Sequence, residues 1–99
     1  MSTDLNIKHN AATRHFEYIE NGNAAFIEYK FVDKSIAFMH TYVPPEMEGR
    51  GIAGALTVFA FNYAKEHHLP VIVYCPYIRS YVKKHPELKE QLDKAFLFE

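Results

Sequence analysis

The stretch that decides the fold of this chain runs from Val43 to Leu56 and reads VPPEMEGRGIAGAL. Its two consecutive prolines cannot both donate to a sheet ladder, so any strand before them must end there. Beyond the prolines the apolar residues recur at helical spacing, which predicts a helix from about Gly51 to His67. The apolar stripe of this helix consists of Ile52, Leu56, Phe59 and Tyr63.

Upstream of this stretch, apolar and polar residues alternate with the period of a half-buried β-sheet. The alternating segments are Leu5–Ile7, Phe16–Tyr18, Ala25–Phe31 and Ser35–Val43. Asn21-Gly22, between the second and third segments, favours a tight hairpin because both residues tolerate a positive φ. In the fourth segment, the alternation predicts one shared face for Ile36, Phe38, His40 and Tyr42. Together the four segments predict an antiparallel meander.

Downstream, Leu69-Pro70 ends the predicted helix, and residues 71–74 form an unbroken apolar run. Such a run is typical of a strand that is covered on both faces. A strand, a helix and a strand joined at this spacing form a parallel pair with a right-handed crossover. Pro76 suits the first turn of a second helix. The predicted fold class is therefore α+β, with a mixed sheet in which an antiparallel meander is followed by one βαβ unit.

The composition fits one soluble domain that spans residues 1–99. Hydrophobic residues make up 48% of the chain, enough for a core without disulfides or metal, and the net charge of −1 gives no bulk attraction to nucleic acid or to an anionic membrane. With a single cysteine, no secretion signal and no apolar run of membrane-spanning length, we expect a cytoplasmic protein. Met1–Thr3 and the charged tail after Pro86 read as linker-like segments. His67-His68 lacks further ligands at suitable spacing, so we expect no metal site.

The turn before the predicted helix is a candidate anion site. Three of the six residues in Gly49–Gly54 are glycine, which lets the backbone approach a ligand closely, and the first amides of a helix have no internal partner. Phosphate binds in such places. Arg50 adds a positive charge, and Arg79, Lys83 and Lys84 form a second basic cluster. The alternative is that the glycines only shape a turn and that the lysines form a solvated helix face.

The residues of this turn resemble the coenzyme A signature of the GNAT acetyltransferase superfamily, a six-residue pattern of Gln or Arg, any, any, Gly, any, and Gly or Ala. Gly51 and Ala53 match the fourth and sixth places. Glu48 departs from the first place, which shifts the expected phosphate contact to Arg50 and the backbone amides. More closely, VPPE at 43–46, CPYIRSY at 75–81 and the following His-Pro pair are similar to a small GNAT-like branch with a Cys-Pro motif.

This resemblance implies acetyl-CoA as the cofactor, with its pantetheine arm lying between splayed fourth and fifth strands. It also implies an N-acetyltransferase that passes the acetyl group to an amine acceptor. A backbone amide near Tyr42 or Val43 is the expected donor to the thioester oxygen. The implied cofactor contacts are Tyr42, Val43, Glu48, Gly49, Arg50, Gly51, Ile52, Ala53, Gly54, Cys75, Pro76, Arg79, Tyr81 and Lys84.

Three side chains are candidates for catalysis. Tyr81 lies where GNAT enzymes place the acid that protonates the departing thiolate; the alternative is a tyrosine that only packs. Cys75 directly precedes a helix N-terminus, with Arg79 one turn on, which favours a thiolate that relays the acyl group; the alternative is an inert buried cysteine. His40 is either the base that accepts a proton from the amine or a histidine of the core.

The acceptor side departs from the GNAT pattern. GNAT domains usually insert two helices between their first and second strands, but only Asn10–Arg14 separate the corresponding segments here. We therefore expect a shallow, open acceptor side, suited to a protein side chain or a polyamine. Two further hypotheses stay open, a module that binds coenzyme A without transfer and an acyl carrier or hydrolase based on Cys75. The oligomeric state is also open.

Overall fold

The computed structural model describes residues 5–98, which form one five-stranded sheet in the order β1-β2-β3-β4-β5 together with two α-helices. The first four strands pair antiparallel and β5 runs parallel to β4. The elements are β1 (Lys8–Asn10), β2 (His15–Glu20), β3 (Asn23–Val32), β4 (Ser35–Tyr42), α1 (Ile52–Glu66), β5 (Val71–Val73) and α2 (Pro76–Lys84). The predicted α+β class, a meander followed by one βαβ unit, is confirmed.

The first strand lies three residues later than the sequence pattern predicts. β1 begins at Lys8, whereas Leu5 and Ile7 precede it and pack, partly buried, against the core. In the turn that follows β1, the side chain of Asn10 accepts a hydrogen bond from the amide of Thr13 and Arg14 adopts a positive φ of 60°. This turn sets the register of β1 against β2.

Helix α1 packs on one face of the sheet through aromatic side chains. The ring of Phe16 lies 5.6 Å from that of Phe59 and 5.2 Å from that of Tyr63, and the ring of Phe38 lies 5.3 Å from that of Phe61. The contacts of Phe59 and Tyr63 lie on the apolar stripe predicted for the helix, whereas Phe61, which is 1% exposed, is a core residue that this stripe does not include. Ile78 and Val82 of α2 belong to the same buried cluster, so both helices share one core.

A β-bulge in β4 reverses the faces of its second half. Glu28 pairs with His40 but the next residue, Tyr29, pairs with Phe38, so Met39 is an extra residue on β4. Ile36 and Phe38 consequently enter the core, while His40 and Tyr42 are exposed on the opposite face. The predicted common face for these four residues is therefore wrong, and so is the alternative of a core position for His40.

The parallel pair of β4 and β5 separates along its length. Pairing ends with Phe38 opposite Val73, and the amides of Tyr74 and Cys75 both donate to the carbonyl of Phe38, at 3.0 and 3.3 Å. β4 continues to Tyr42, and within residues 5–98 its last part has no strand partner on the β5 side. The strands are thus splayed, as predicted.

The tail after Pro86 is part of the folded structure, which corrects its prediction as linker-like. It forms 3-10 turns at Pro86–Gln91 and Lys94–Phe96, and between them Leu92 is buried and bridges to Val71. Asp93 donates its amide to the carbonyl of Val71 at 2.7 Å and accepts a hydrogen bond from buried Ser35 at 2.5 Å. The other predicted linker-like segment, Met1–Thr3, lies outside the described residues.

Within residues 5–98, neither helix is long and apolar enough to cross a membrane.

Candidate active site

The turn before α1 presents an open helix N-terminus. Gly49 and Gly51 have φ values of 78° and 79°, in the left-handed region that favours glycine, and Gly51 caps the helix without a side-chain hydrogen bond. Ala55 is the first residue of α1 whose amide has a protein acceptor, the carbonyl of Gly51 at 3.1 Å. In the described part of the chain, the amides of residues 52–54 have no protein acceptor, so they can bind an anion.

Two tyrosines of α2 lie against the first turn of α1. A Cβ atom placed on Gly54 would lie 3.7 Å from Cε2 of Tyr81 and 3.8 Å from the hydroxyl of Tyr77, and the two tyrosine rings are 6.3 Å apart. Tyr81 is half-buried, and its ring stacks on the ring of His85 at 4.2 Å. The predicted acid Tyr81 is therefore brought together with the predicted glycine turn.

Tyr77 is a site residue that the sequence analysis does not single out. Burial raises the pKa of its phenol, and neighbouring Tyr81 and Cys75 add to the effect, while the hydroxyl of Thr57 lowers the pKa. Thr57 itself is fully buried and donates to the carbonyl of Ala53 at 2.8 Å. The available signal is spacing, since Tyr77 and Tyr81 stand four residues apart and hence on one face of a helix.

Cys75 lies at the inner edge of the gap between β4 and β5. It is 3% exposed, and its Sγ atom is 3.2 Å from the hydroxyl of Thr41. Thr41 lies on β4 beyond Phe38, the last residue that pairs with β5. Cys75 also occupies the N-cap position of α2, with Pro76 as the first helical residue. Thr41 is a second residue that the sequence analysis passes over, because only the bulge at Met39 directs its side chain towards the core side.

Arg50 is engaged by a carboxylate rather than free. Its guanidinium donates to both carboxylate oxygens of Glu20, at 2.8 and 3.3 Å, and Tyr18 donates to the same carboxylate at 3.0 Å. The hydrogen bonds from Arg50 and Tyr18 lower the pKa of Glu20, so this carboxylate is ionised near neutral pH. The glycine turn is thereby tied to the end of β2.

The second basic cluster is divided between two faces of α2. Arg79 lies two residues from both Tyr77 and Tyr81, about 200° around the helix, and its guanidinium covers the ring of Phe98 at 4.6 Å. The structure does not bring Arg79 to the glycine turn. Lys84, three residues after Tyr81, is exposed in the last turn of α2.

His40 lies on the face of the sheet opposite α1. It is exposed and stands 6.5 Å from the ring of Phe26, with Glu28 directly opposite on β3. Cys75, in contrast, is buried on the α1 side of the sheet. His40 and Cys75 therefore lie on opposite faces of the sheet.

A sheet that is split at its parallel pair, with a glycine turn and an open helix N-terminus beside the split, is the architecture of an acyl-CoA N-acyltransferase. A family model described as GCN5-related N-acetyl-transferase matches residues 15–92, which include β2 to α2 and the buried part of the tail. The chain belongs to this family.

Proposed function

We propose that this protein is an acetyl-CoA-dependent N-acetyltransferase that acts on an amine acceptor. The observation that carries the proposal is the meeting of three features at one place: the unpartnered amides of α1, the gap beside β4 and the tyrosines of α2 that contact Gly54. Family membership supports acyl transfer in general. The cofactor and the acceptor belong to the proposal.

The residues around the gap fit coenzyme A. A diphosphate needs several hydrogen-bond donors and little steric hindrance, and the amides of residues 52–54 and the bare Cα atoms of Gly49 and Gly51 meet both needs. A pantetheine arm needs an unpaired strand edge for its amides, which the last part of β4 offers. When bound, acetyl-CoA supplies an activated acetyl thioester.

In the proposed transfer reaction, a backbone amide and three side chains have separate roles. A backbone amide near Tyr42 or Val43 stabilises the oxygen on which negative charge develops. Tyr81 donates the proton that the departing thiolate takes up, and Tyr77 supports the wall of the channel beside it. His40 accepts a proton from the incoming ammonium on the open face of the sheet. The acceptor attacks directly in this scheme.

Thermal unfolding with and without acetyl-CoA tests cofactor binding. At about one hundred times its dissociation constant, a bound ligand raises the free energy of unfolding by about 2.7 kcal/mol. No shift at millimolar acetyl-CoA would remove the proposed function. Free coenzyme A that appears only after an amine is added supports direct transfer, whereas an acetyl group found on Cys75 supports the relay. Binding without either product supports the non-catalytic module.

A further inference from the structure

The gap between β4 and β5 is open along the backbone but crossed by two side chains. Pairing of the strands ends at Phe38, and β4 continues to Tyr42. Thr41 lies directly opposite fully buried Ile27 on β3, so its side chain faces the α1 side of the sheet. There its hydroxyl lies 3.2 Å from Sγ of Cys75, on the β5 side of the gap. The Thr41–Cys75 contact therefore joins both sides of the gap.

The backbone holds both partners of this contact in place. The amide of Cys75 donates to the carbonyl of Phe38 at 3.3 Å, and Cys75 is the N-cap residue of α2. Its side chain is 3% exposed and belongs to the buried cluster that includes Ile78. Thr41 is paired with β3. Since neither residue can shift without moving a strand or a helix, the contact is a fixed boundary at the inner end of the gap.

This boundary lies beside the place proposed for the reacting carbonyl. The expected donor to the thioester oxygen is the amide of Tyr42 or Val43, the two residues that follow Thr41. On the α1 side, an acyl chain that extends inward from that place meets the Thr41–Cys75 contact. On the opposite side it enters the open face, where exposed His40 and Tyr42 border the path of the acceptor. A long acyl chain therefore either displaces packed side chains or obstructs the acceptor.

We propose that the Thr41–Cys75 contact limits the length of the acyl group, so that the protein takes short-chain acyl-CoA donors such as acetyl-CoA and excludes longer ones. The inference rests on the proposed function and specifies its donor class. In this role, Thr41 and Cys75 determine specificity through their size and position. No bond to the Cys75 sulfur is formed, which separates this role from an acyl relay.

Isothermal titration with acetyl-CoA and hexanoyl-CoA tests the inference without turnover. We expect the parent to bind hexanoyl-CoA at least about tenfold more weakly than acetyl-CoA. Thr41→Ala opens the contact and is expected to remove most of this difference by tightening the binding of hexanoyl-CoA. Thr41→Val, which keeps the size of the side chain, is the matched comparison and is expected to retain the difference. Cys75→Ala opens the contact from the other side, and we expect the same result as with Thr41→Ala.

Alkylation of Cys75 by iodoacetamide measures the contact without any cofactor. Cys75 is the single cysteine of the chain, so mass spectrometry of the alkylated thiol reports on this residue alone. We expect Thr41→Ala to be alkylated several-fold faster than the parent, because the sulfur becomes more accessible, and Thr41→Val to be alkylated at the rate of the parent. Equal rates in Thr41→Ala and the parent would show that the contact does not close the gap and would overturn the inference.

The two donors separate this inference from the proposed function. Equal affinity of the parent for acetyl-CoA and hexanoyl-CoA overturns the inference and leaves the proposed function intact. An affinity difference that persists in both Thr41→Ala and Cys75→Ala also overturns the inference, because another part of the protein then limits the acyl group. If the parent binds neither donor, the proposed function is removed and the acyl limit with it.

Discussion

Gly51 and Gly22 share one backbone conformation, but Gly51 lies at the candidate cofactor site and Gly22 lies in the hairpin between β2 and β3. Their φ values are 79° and 78°, and a Cβ atom on either would meet no neighbour within 4 Å. Alanine at either position is expected to lower the free energy of unfolding by about 1–2 kcal/mol, because an L-residue is strained in the left-handed region. Only Gly51→Ala is expected to weaken acetyl-CoA binding as well. Denaturant unfolding and isothermal titration measure the two effects; equal cofactor affinity in both variants would assign Gly51 a purely structural role.

The two tyrosines over Gly54 differ in their expected contribution to turnover. Tyr81→Phe keeps the ring that packs on His85 and removes the hydroxyl, so we expect turnover to fall by about a hundredfold with little change in cofactor affinity. Tyr77→Phe is the matched comparison, and a smaller loss is expected. Steady-state kinetics with a fixed amine decides between them, and the reverse order would transfer the role of the acid to Tyr77.

Substitutions at the two partners of the Glu20–Arg50 pair are expected to change coenzyme A affinity in opposite directions. Because Glu20 accepts hydrogen bonds from both terminal nitrogens of the Arg50 guanidinium, Nη1 and Nη2, it competes with phosphate for Arg50. Glu20→Gln is expected to tighten coenzyme A binding several-fold, and Arg50→Gln is expected to weaken it. Titration at low and high salt measures both. If Glu20→Gln weakens binding too, the pair serves to hold the turn in place instead of delivering charge.

At the scale of elements, the bulge in β4 has two consequences that regular pairing would not allow. The extra residue, Met39, turns His40 and Tyr42 to the open face and directs Thr41 to Cys75. It also coincides with the end of pairing to β5, just after Phe38. One irregular residue thus accompanies both the gap and the outward position of the candidate base.

The tail is a second element whose contribution to stability is testable. Leu92 is 4% exposed in the core, whereas Leu97 is 60% exposed. Leu92→Ala is expected to lower the free energy of unfolding by about 2–3 kcal/mol, because it leaves a cavity beside Val71. Leu97→Ala is expected to change it by less than about 0.5 kcal/mol. Denaturant unfolding measures both changes. If both substitutions changed the free energy of unfolding by similarly small amounts, the tail would not unfold cooperatively with the rest of the protein.

At the scale of the whole molecule, His9 couples stability to pH. Its Nε2 atom lies 2.5 Å from the hydroxyl of Tyr29, and burial together with the nearby His67 lowers its pKa from the ordinary value of 6.5. The unfolded chain therefore binds the proton more readily than the folded chain. The contribution of His9 to stability is fully present above pH 6.5 and is lost as the pH falls through the lowered pKa.

We expect the free energy of unfolding to decrease from pH 7 towards pH 5, with a slope for this one proton below about 1.4 kcal/mol per pH unit. This range lies above the pKa values of the paired carboxylates Glu20 and Asp93, both of which are lowered. Urea unfolding at several pH values measures the slope. His9→Gln is expected to reduce the slope and His68→Gln, at an exposed turn, to leave it unchanged; an unaltered slope in His9→Gln would contradict this account.

Much of the architecture follows from local patterns. The change of period at Pro44-Pro45, the apolar stripe of α1 and the hairpin at Asn21-Gly22 are confirmed at or near the predicted positions. Each rests on a preference that a few neighbouring residues express by themselves, such as a proline without an amide hydrogen or a glycine that accepts positive φ. The family resemblance likewise rests on short motifs and is confirmed at the level of the family.

The sequence by itself determined the order and type of the elements and the glycine turn at the head of α1. Only the tertiary structure decided the face on which His40 lies, the partner of Arg50 thirty residues upstream and the burial of Leu92. The physical reason is the range of the interactions. Period and φ preference are properties of adjacent residues, whereas a bulge, an ion pair and a buried tail depend on which distant residues the completed sheet brings into contact.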